Sequence, residues 1–269
     1  MLKLIATDMD GTLLNDAKEM PEKTFEIIER LHEKGIAFAV ASGRQKFSLQ
    51  RLYDDIKDEI IIIAGNGSII IDKGQIISMD TLDVEVVREI VETVDQLPDL
   101  KLIICGLESD YMFENNVMSI LPDYLVESHF PVRTVIKNLA DLPEGEQILQ
   151  LSIYDPQLNS KENVYDKLKH FEGDCHLTVS GSEWVDIINV GVNKGTAIKK
   201  LQTMLLAEPE EIMVFGDELN DYEMMQQAYY SYAMANAVPE IKEISNFIAP
   251  SNEDEGVIKI LENLLAMTK

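Results

Sequence analysis

The chain is poor in the residues that build covalent or soft-metal frameworks: 2 cysteines, 4 histidines and 1 tryptophan in 269 residues. Cys105 and Cys175 stand far apart and match no metal or redox spacing, so they are expected as free thiols in a reducing compartment. His32, His129, His170 and His176 are scattered, and His32-Glu33 lacks the second histidine of a zinc-protease helix. Positive charge is also short. With 23 Lys and Arg against 48 Asp and Glu, the formal net charge is −25, which disfavours nucleic acid and anionic membrane as partners because binding either depends on neutralising phosphates with Lys and Arg; neither is expected. No uncharged run approaches the roughly 20 residues of a membrane span, and the opening Met1-Leu2-Lys3-Leu4-Ile5 is strand-like where a secretory signal would carry a basic segment and an apolar core. A cytoplasmic protein is expected.

What remains is a chain rich in apolar residues (46%), with material for a sizeable core. Leu2 to Thr7 reads as a strand. Pro21 to Lys34 has helical spacing at Phe25, Ile28 and Leu31, stopped by Gly35, and Ile36 to Ala41 is the nearly all-apolar run of a strand covered on both faces. A helix through Leu49, Leu52 and Ile56 leads to the strand Ile60 to Ala64. Strands alternating with helices predict a parallel sheet. Ser68 to Asp72 and Gln75 to Ser78 flank Lys73-Gly74 as a hairpin. From about Leu82 the pattern becomes α+β: a helix at Val84 to Gln96, strands at Lys101 to Cys105, Tyr111 to Glu114, Gln147 to Tyr154 and Cys175 to Ser180, and a helix around Val164 to Phe171. After Ser180-Gly181-Ser182 the alternation returns, with helices at Lys194 to Leu206, Tyr222 to Gln227 and Val257 to Leu265, and strands at Ile212 to Gly216 and Ser231 to Ala235. The expected architecture is α/β: a Rossmann-like, doubly wound parallel core of residues 1–81 and 183–269 with an α+β unit, residues 82–182, inserted into it.

Chemistry concentrates at strand ends. In "TDMDGTLLND", Asp8 and Asp10 leave an extended chain on the same side, at the carboxyl end of a strand, where α/β sheets bind ligands, and Gly11 lets the chain turn away. Two acids there call for a cation, although a lone Asp-x-Asp is more often a solvated turn, so the rest of the sequence has to decide. An EF-hand fails because Leu13 stands where its loop needs glycine. No Gly-Lys pair exists for a P-loop, and Gly65-Asn66-Gly67 is followed by Ile70 where a dinucleotide fingerprint needs its third glycine. A second acidic cluster, "FGDELND", closes a strand with Asp217 and opens a helix with Asn220-Asp221. Asp217 could complete an oxygen-ligand site with Asp8, and Asp221 could hold a metal-bound water, a set suited to Mg²⁺; Asp221 equally fits as favourable charge in a first helical turn. Lys194 is the candidate cation for an anionic ligand, or an ordinary surface lysine. Ser42 in "ASGR" offers a hydroxyl beside the backbone N–H groups of Gly43 and its neighbours.

Together, Asp8-Met9-Asp10-Gly11-Thr12-Leu13-Leu14, Ala41-Ser42-Gly43-Arg44, Asn193-Lys194-Gly195 and Gly216-Asp217-x-x-Asn220-Asp221 resemble the four ordered motifs of the haloacid dehalogenase superfamily. The long insert resembles the cap of its Cof-type phosphatases. The resemblance implies a phosphatase of small phosphate monoesters such as sugar phosphates, flavin mononucleotide or pyridoxal phosphate. It implies Asp8 as nucleophile, Asp10 as general acid and base, and Mg²⁺ held by Asp8, the Asp10 backbone carbonyl and Asp217, with Asp221 in support. Phosphate contacts fall to Met9, Ser42, Gly43, Lys194 and Asn220, and Arg44 and Asn66 become candidate substrate-facing residues. Asn66-Gly67-Ser68 is close to an Asn-Gly-Ala turn common in that branch. The cap would close over the crevice, with Tyr111, Phe113, Tyr154 and Trp184 either contacting the leaving group or packing as core. A phosphomutase or phosphotransferase with the same nucleophile, and a non-catalytic phospholigand-binding protein, are the competing readings.

Overall fold

The apolar runs become strands and the amphipathic segments cover them. The computed structural model describes residues 1–97, 99–114 and 123–267. The first strand, β1 (Leu4–Thr7), is buried throughout, and β2 (Ala37–Ala41) and β3 (Ile60–Ala64) follow it in parallel. Then β4 (Ile69–Asp72) turns back antiparallel on β3 and is followed by β5 (Gln75–Met79). Nine further strands complete the described set: β6 (Lys101–Gly106), β7 (Asp110–Phe113), β8 (Arg133–Ile136), β9 (Ile148–Tyr154), β10 (Cys175–Val179), β11 (Trp184–Asn189), β12 (Ile212–Gly216), β13 (Tyr230–Met234) and β14 (Phe247–Ala249).

They form two sheets and the chain divides into two compact units. The first unit, residues 1–42, 53–77 and 193–269, holds an eight-stranded sheet in the order β14-β13-β12-β1-β2-β3-β4-β5, parallel from β14 through β3. A parallel sheet needs cover on both faces. The helix Thr24–Glu33 turns Ile27, Ile28 and Leu31 inward and packs against the helix Gly256–Met267, which buries Val257, Ile258, Leu261 and Leu265. The strand order reverses around β1, with the chain going to β2 on one side and returning to β12 on the other. Such a switch point leaves a crevice at the carboxyl ends of the strands.

The second unit, residues 43–52 and 78–192, holds a six-stranded sheet ordered β10-β11-β9-β6-β7-β8. One face is apolar: Leu102, Ile104, Leu151, Ile153, Val185 and Ile187 pack with Val87, Ile90 and Val94 of the helix Val84–Asp95 and with Val164 and Leu168. The other carries Ile103, Cys105, Met112 and Tyr154 beside Val126 and Phe130. Both cysteines are buried and unpaired. The stretch expected as one helix through Leu49, Leu52 and Ile56 is a helix at Lys46–Leu52 and a separate single turn at Asp54–Ile56. Three strands, β8, β11 and β14, are absent from the sequence reading. No helix among the described residues is long and apolar enough to cross a membrane.

Candidate active site

Three neighbouring strands of the first unit end together. β1 pairs with β12 and β2 in register, Thr7 opposite Phe215 and Val40, so Asp8, Asp217 and Ser42 follow the carboxyl ends of adjacent strands. The Asp8 backbone N–H still donates to Phe215 at 3.0 Å, which fixes where its side chain begins. Beyond it, Leu14 N–H donates to Met9 C=O at 2.8 Å and folds residues 9–14 into a tight turn. Gly11 sits in that turn at φ +85°, and a Cβ there would fall 2.3 Å from Asp217 Oδ2, so the backbone must come this close to the carboxylate and only glycine allows it.

Asp8, Asp217 and Asp221 are all buried, and each offers an oxygen within 4.8 Å of the other two. The compensating charge is Lys194, fully buried, whose Nζ donates to Asp8 Oδ1 at 2.7 Å and to Asp221 Oδ1 at 2.6 Å. Lys194 reaches them because Asn193 caps its helix, accepting from Thr196 N–H at 2.8 Å. Gly195 lets that helix press on the Tyr222–Met225 turn, where a Cβ would meet the Glu223 backbone at 2.6 Å. The surface-lysine reading of Lys194 is therefore replaced by a buried one. Asp221 does more than sit in a first turn: its Oδ2 accepts from the backbone N–H groups of Asp217 at 2.9 Å and Glu218 at 3.2 Å, so it ties Lys194 to the loop that presents Asp217.

The remaining expected residues lie around this centre in separate arrangements. Asp10 does not join the carboxylate cluster; its Oδ1 pairs with Lys18 Nζ at 3.0 Å, with both side chains partly in solvent. Ser42 is buried, and its C=O accepts from Asn66 N–H at 2.9 Å; Asn66 in turn accepts from Asn220 Nδ2 at 3.1 Å, which brings these three together. Met9 is buried in the turn after β1. Gly43 and Arg44 belong to the second unit, where Gly43 C=O accepts from Gln150 at 3.3 Å. Of the aromatic candidates, Tyr111 and Tyr154 are core: Tyr111 lies on the apolar face with its hydroxyl on Glu146, and the Tyr154 ring packs at a tilt with its centroid 4.9 Å from that of the half-buried Trp184. Two residues escaped the sequence reading. Thr12 donates to Asp217 Oδ1 at 2.6 Å and steadies it, although Thr12 stands inside the first motif; Lys18 sits at positive φ in a loop that no local signal connects to Asp10.

A family model of haloacid dehalogenase-like hydrolases matches residues 5–261. The chain belongs to the haloacid dehalogenase-like hydrolases. It is an enzyme of the phosphoric monoester hydrolase class. It is 30% identical over 268 residues to the 5-amino-6-(5-phospho-D-ribitylamino)uracil phosphatase YbjI of Escherichia coli (strain K12), covering 98% of this chain and 96% of that one. It is 29% identical to the phosphatase YwtE of Bacillus subtilis (strain 168), named for the same compound, over 98% and 99% of the two chains. The crystal structure of SMU.1108c from Streptococcus mutans UA159 superposes with a TM-score of 0.87 at 29% identity, covering 99% of this chain and 100% of that one.

The donor set of this hydrolase fits a hard divalent cation. Three buried carboxylates face one ammonium, and carboxylate oxygens are the ligands such ions take. Burial raises the Asp8 carboxyl to about 7, opposed by Lys194 and reinforced by Asp221; burial, then Asp8 and Asp221, raise Asp217 to about 8. Both folded values lie above the usual 3.8, so the cation-free protein binds protons that the unfolded chain does not, and its stability falls as pH rises from about 4 to 8. A cation must displace those protons below that range. The thermal stabilisation given by millimolar Mg²⁺ is therefore expected to be larger at pH 8 than at pH 6, as melting curves would read; an equal shift at both values would place the cation elsewhere.

Proposed function

We propose that this hydrolase removes phosphate from small phosphate monoesters in the cytoplasm through a covalent aspartyl-phosphate on Asp8. The observation that carries the reading is the buried Asp8 carboxylate at the end of β1, held through Oδ1 by Lys194 at 2.7 Å beside Asp217 and Asp221. Lys194 fixes one oxygen of Asp8 and so orients the other as nucleophile. That oxygen attacks phosphorus, the bond to the leaving oxygen breaks, and Asp10 gives that oxygen its proton; water then attacks the phosphoryl group, Asp10 takes the proton, and Asp8 is released with inorganic phosphate. For this, Asp10 has to leave Lys18. Lys194, Ser42, the Met9 and Gly43 N–H groups and Asn220 stabilise the phosphoryl oxygens as charge develops, the electrostatic positioning on which phosphoryl transfer depends. Mg²⁺ held by Asp8, the Asp10 backbone carbonyl and Asp217, with Asp221 supporting, would offset the repulsion between nucleophile and phosphate.

The inserted segment, expected at residues 82–182 and compact as residues 78–192 with 43–52, is assigned the choice of leaving group, with Arg44 and Asn66 as substrate-facing residues. The names of two relatives support a substrate in which a phosphorylated sugar or polyol chain bears a small heterocycle. Phosphate release from sugar phosphates, polyol phosphates, flavin mononucleotide and pyridoxal phosphate, with Mg²⁺ or EDTA, tests the reading. Mg²⁺-dependent release is expected, strongest on a polyol-linked member; release unaffected by EDTA, or none from any compound, would contradict it.

A further inference from the structure

Two loops of the first unit have no place in the chemistry above, yet both end on the turn that carries it. The strands β14-β13-β12-β1 are parallel, so the chain leaves β13 at Met234 and β14 at Ala249 on the side where it leaves β1 before Asp8. β12 stands between β13 and β1, and the loops have to reach across it to touch the turn of residues 9–14. Both do. Asn236, two residues past β13, donates from Nδ2 to Gly11 C=O at 2.8 Å. Asn252, three residues past β14 and buried, donates from Nδ2 to Leu14 C=O at 3.1 Å and to Asp16 Oδ1 at 3.0 Å. The two asparagines are joined, because Asn252 N–H donates to Asn236 Oδ1 at 3.1 Å.

The partners fix how both amides are turned. A backbone carbonyl only accepts and a backbone N–H only donates, so Asn236 must point its nitrogen at Gly11 and its oxygen at Asn252. Asn252 faces the Leu14 carbonyl and the Asp16 carboxylate, two acceptors, and must present its nitrogen to both. The loop after β13 also holds the opposite wall of the site, since Val238 N–H donates to Asp217 C=O at 2.9 Å. Asn236 and Val238 thus tie Gly11 to Asp217 where the two already meet and where Thr12 donates to Asp217 Oδ1 at 2.6 Å.

We propose that Asn236 and Asn252 are positioning residues for phosphoryl transfer: by holding Gly11 C=O, Leu14 C=O and the Asp16 carboxylate they keep Asp8 and Asp10 in place against Asp217. This rests on the roles given to those acids under the reading above. The bonds within the turn, from Thr12 and Leu14 N–H to Met9 C=O at 3.3 and 2.8 Å, close it on itself, and the asparagines anchor it to the loops of the neighbouring strands. Gly11 makes the anchor necessary. Glycine allows the turn, but it also leaves the backbone free next to Asp10, and fixing the Gly11 carbonyl removes that freedom. A misplacement of about 1 Å at a reacting group costs about 100-fold in rate, so contacts remote from the reacting atoms act on turnover.

The experiment measures kcat and KM on p-nitrophenyl phosphate with Mg²⁺ for the wild type, Asn252→Ala, Asn236→Ala and the control Asn246→Ala, at a temperature where circular dichroism shows each folded. Asn246 makes the same kind of contact at the other end of β13, donating from Nδ2 to Tyr229 C=O at 2.8 Å. Asn252→Ala is expected to lower kcat by about 10- to 100-fold with KM within about 3-fold of the wild type, because Lys194 and Ser42 stay in place. Asn236 is exposed and water takes over part of its role, so Asn236→Ala is expected to lose less, about 3- to 10-fold. Asn246→Ala should keep the wild-type kcat. Amide exchange of the peptide spanning residues 9–16, read by mass spectrometry without substrate, should quicken in Asn252→Ala and not in Asn246→Ala. An unchanged kcat in Asn252→Ala, or an equal loss in Asn246→Ala, would overturn the proposal, since a structural role alone lowers stability and not turnover per folded molecule. Substantial turnover by Asp8→Asn in the same assay, or none by the wild type, is instead a failure of the reading above. The asparagines are then judged on exchange alone: quickened exchange in Asn252→Ala supports their hold on the turn, and unchanged exchange overturns it.

Discussion

Asp8→Asn is expected to lower turnover by about 10⁴- to 10⁶-fold, the range seen when a covalent nucleophile is removed, while the folded chain and its two sheets persist. The side chains are nearly the same size, and Lys194 can still donate to the amide oxygen at the position of Oδ1, where it now meets Asp8 at 2.7 Å. What is lost is the charge and the nucleophilic oxygen. Asn removes one carboxylate from a cluster that also holds Asp217 and Asp221, so Mg²⁺ stabilisation should weaken in the same variant. Initial rates with excess Mg²⁺, read beside a circular dichroism melt, check both parts. Residual activity above about one part in a hundred would assign the displacement to another group, since even oxyanion-hole losses alone reach that size.

Lys194→Met is expected to be the most damaging single substitution for stability, at about 3–5 kcal/mol near neutral pH, the usual cost of breaking a buried ion pair from one side. Methionine nearly fills the volume, so the loss is electrostatic. Lys194 is fully buried and bonded to Asp8 and Asp221, and its removal leaves those acids with Asp217 in a low-dielectric pocket without a countercharge. The pH dependence separates this cause from a packing defect. Without Lys194 the Asp8 and Asp217 carboxyls are held higher still, and the deficit is carried by their charged forms, so it should shrink as pH falls toward the usual carboxylate value and their neutral acids replace anions. Denaturant midpoints of the variant and wild type at pH 5 and pH 8 read the difference; a deficit equal at both would point to packing.

The catalytic motifs could be read from sequence because each one is local: an apolar strand ending in Asp8-x-Asp10, in Ala41-Ser42, or in Gly216-Asp217. Their assembly rests on long-range pairings that a linear pattern does not carry. Lys194 could be named as the candidate cation but not told from a surface lysine, because its partners lie 186 and 27 residues away, and Thr12 went unnoticed because Asp217 is 205 residues on. The strands that went unread have physical reasons too. In β8, Arg133, Thr134 and Val135 are exposed, and β14 spans only three residues at the sheet edge, so neither offers a buried alternation. In β11 the buried Asp186 breaks an otherwise apolar run, and its burial is explained by Ser152, Gln150 and Ser180, which bond it at 2.7–2.8 Å from other parts of the chain. The aromatic candidates were ambiguous for a related reason. An aromatic residue in a strand takes its role from the face it occupies, and sheet register decides that.

The most direct test of the central claim is a rapid acid quench of the Mg²⁺-loaded enzyme during turnover, followed by mass spectrometry of the peptide bearing Asp8. A single phosphoryl group on Asp8, formed and lost within the catalytic cycle and absent from Asp8→Asn, is the expected result. Turnover without any phosphorylated Asp8 peptide, or with the phosphoryl group on a different residue, would contradict it.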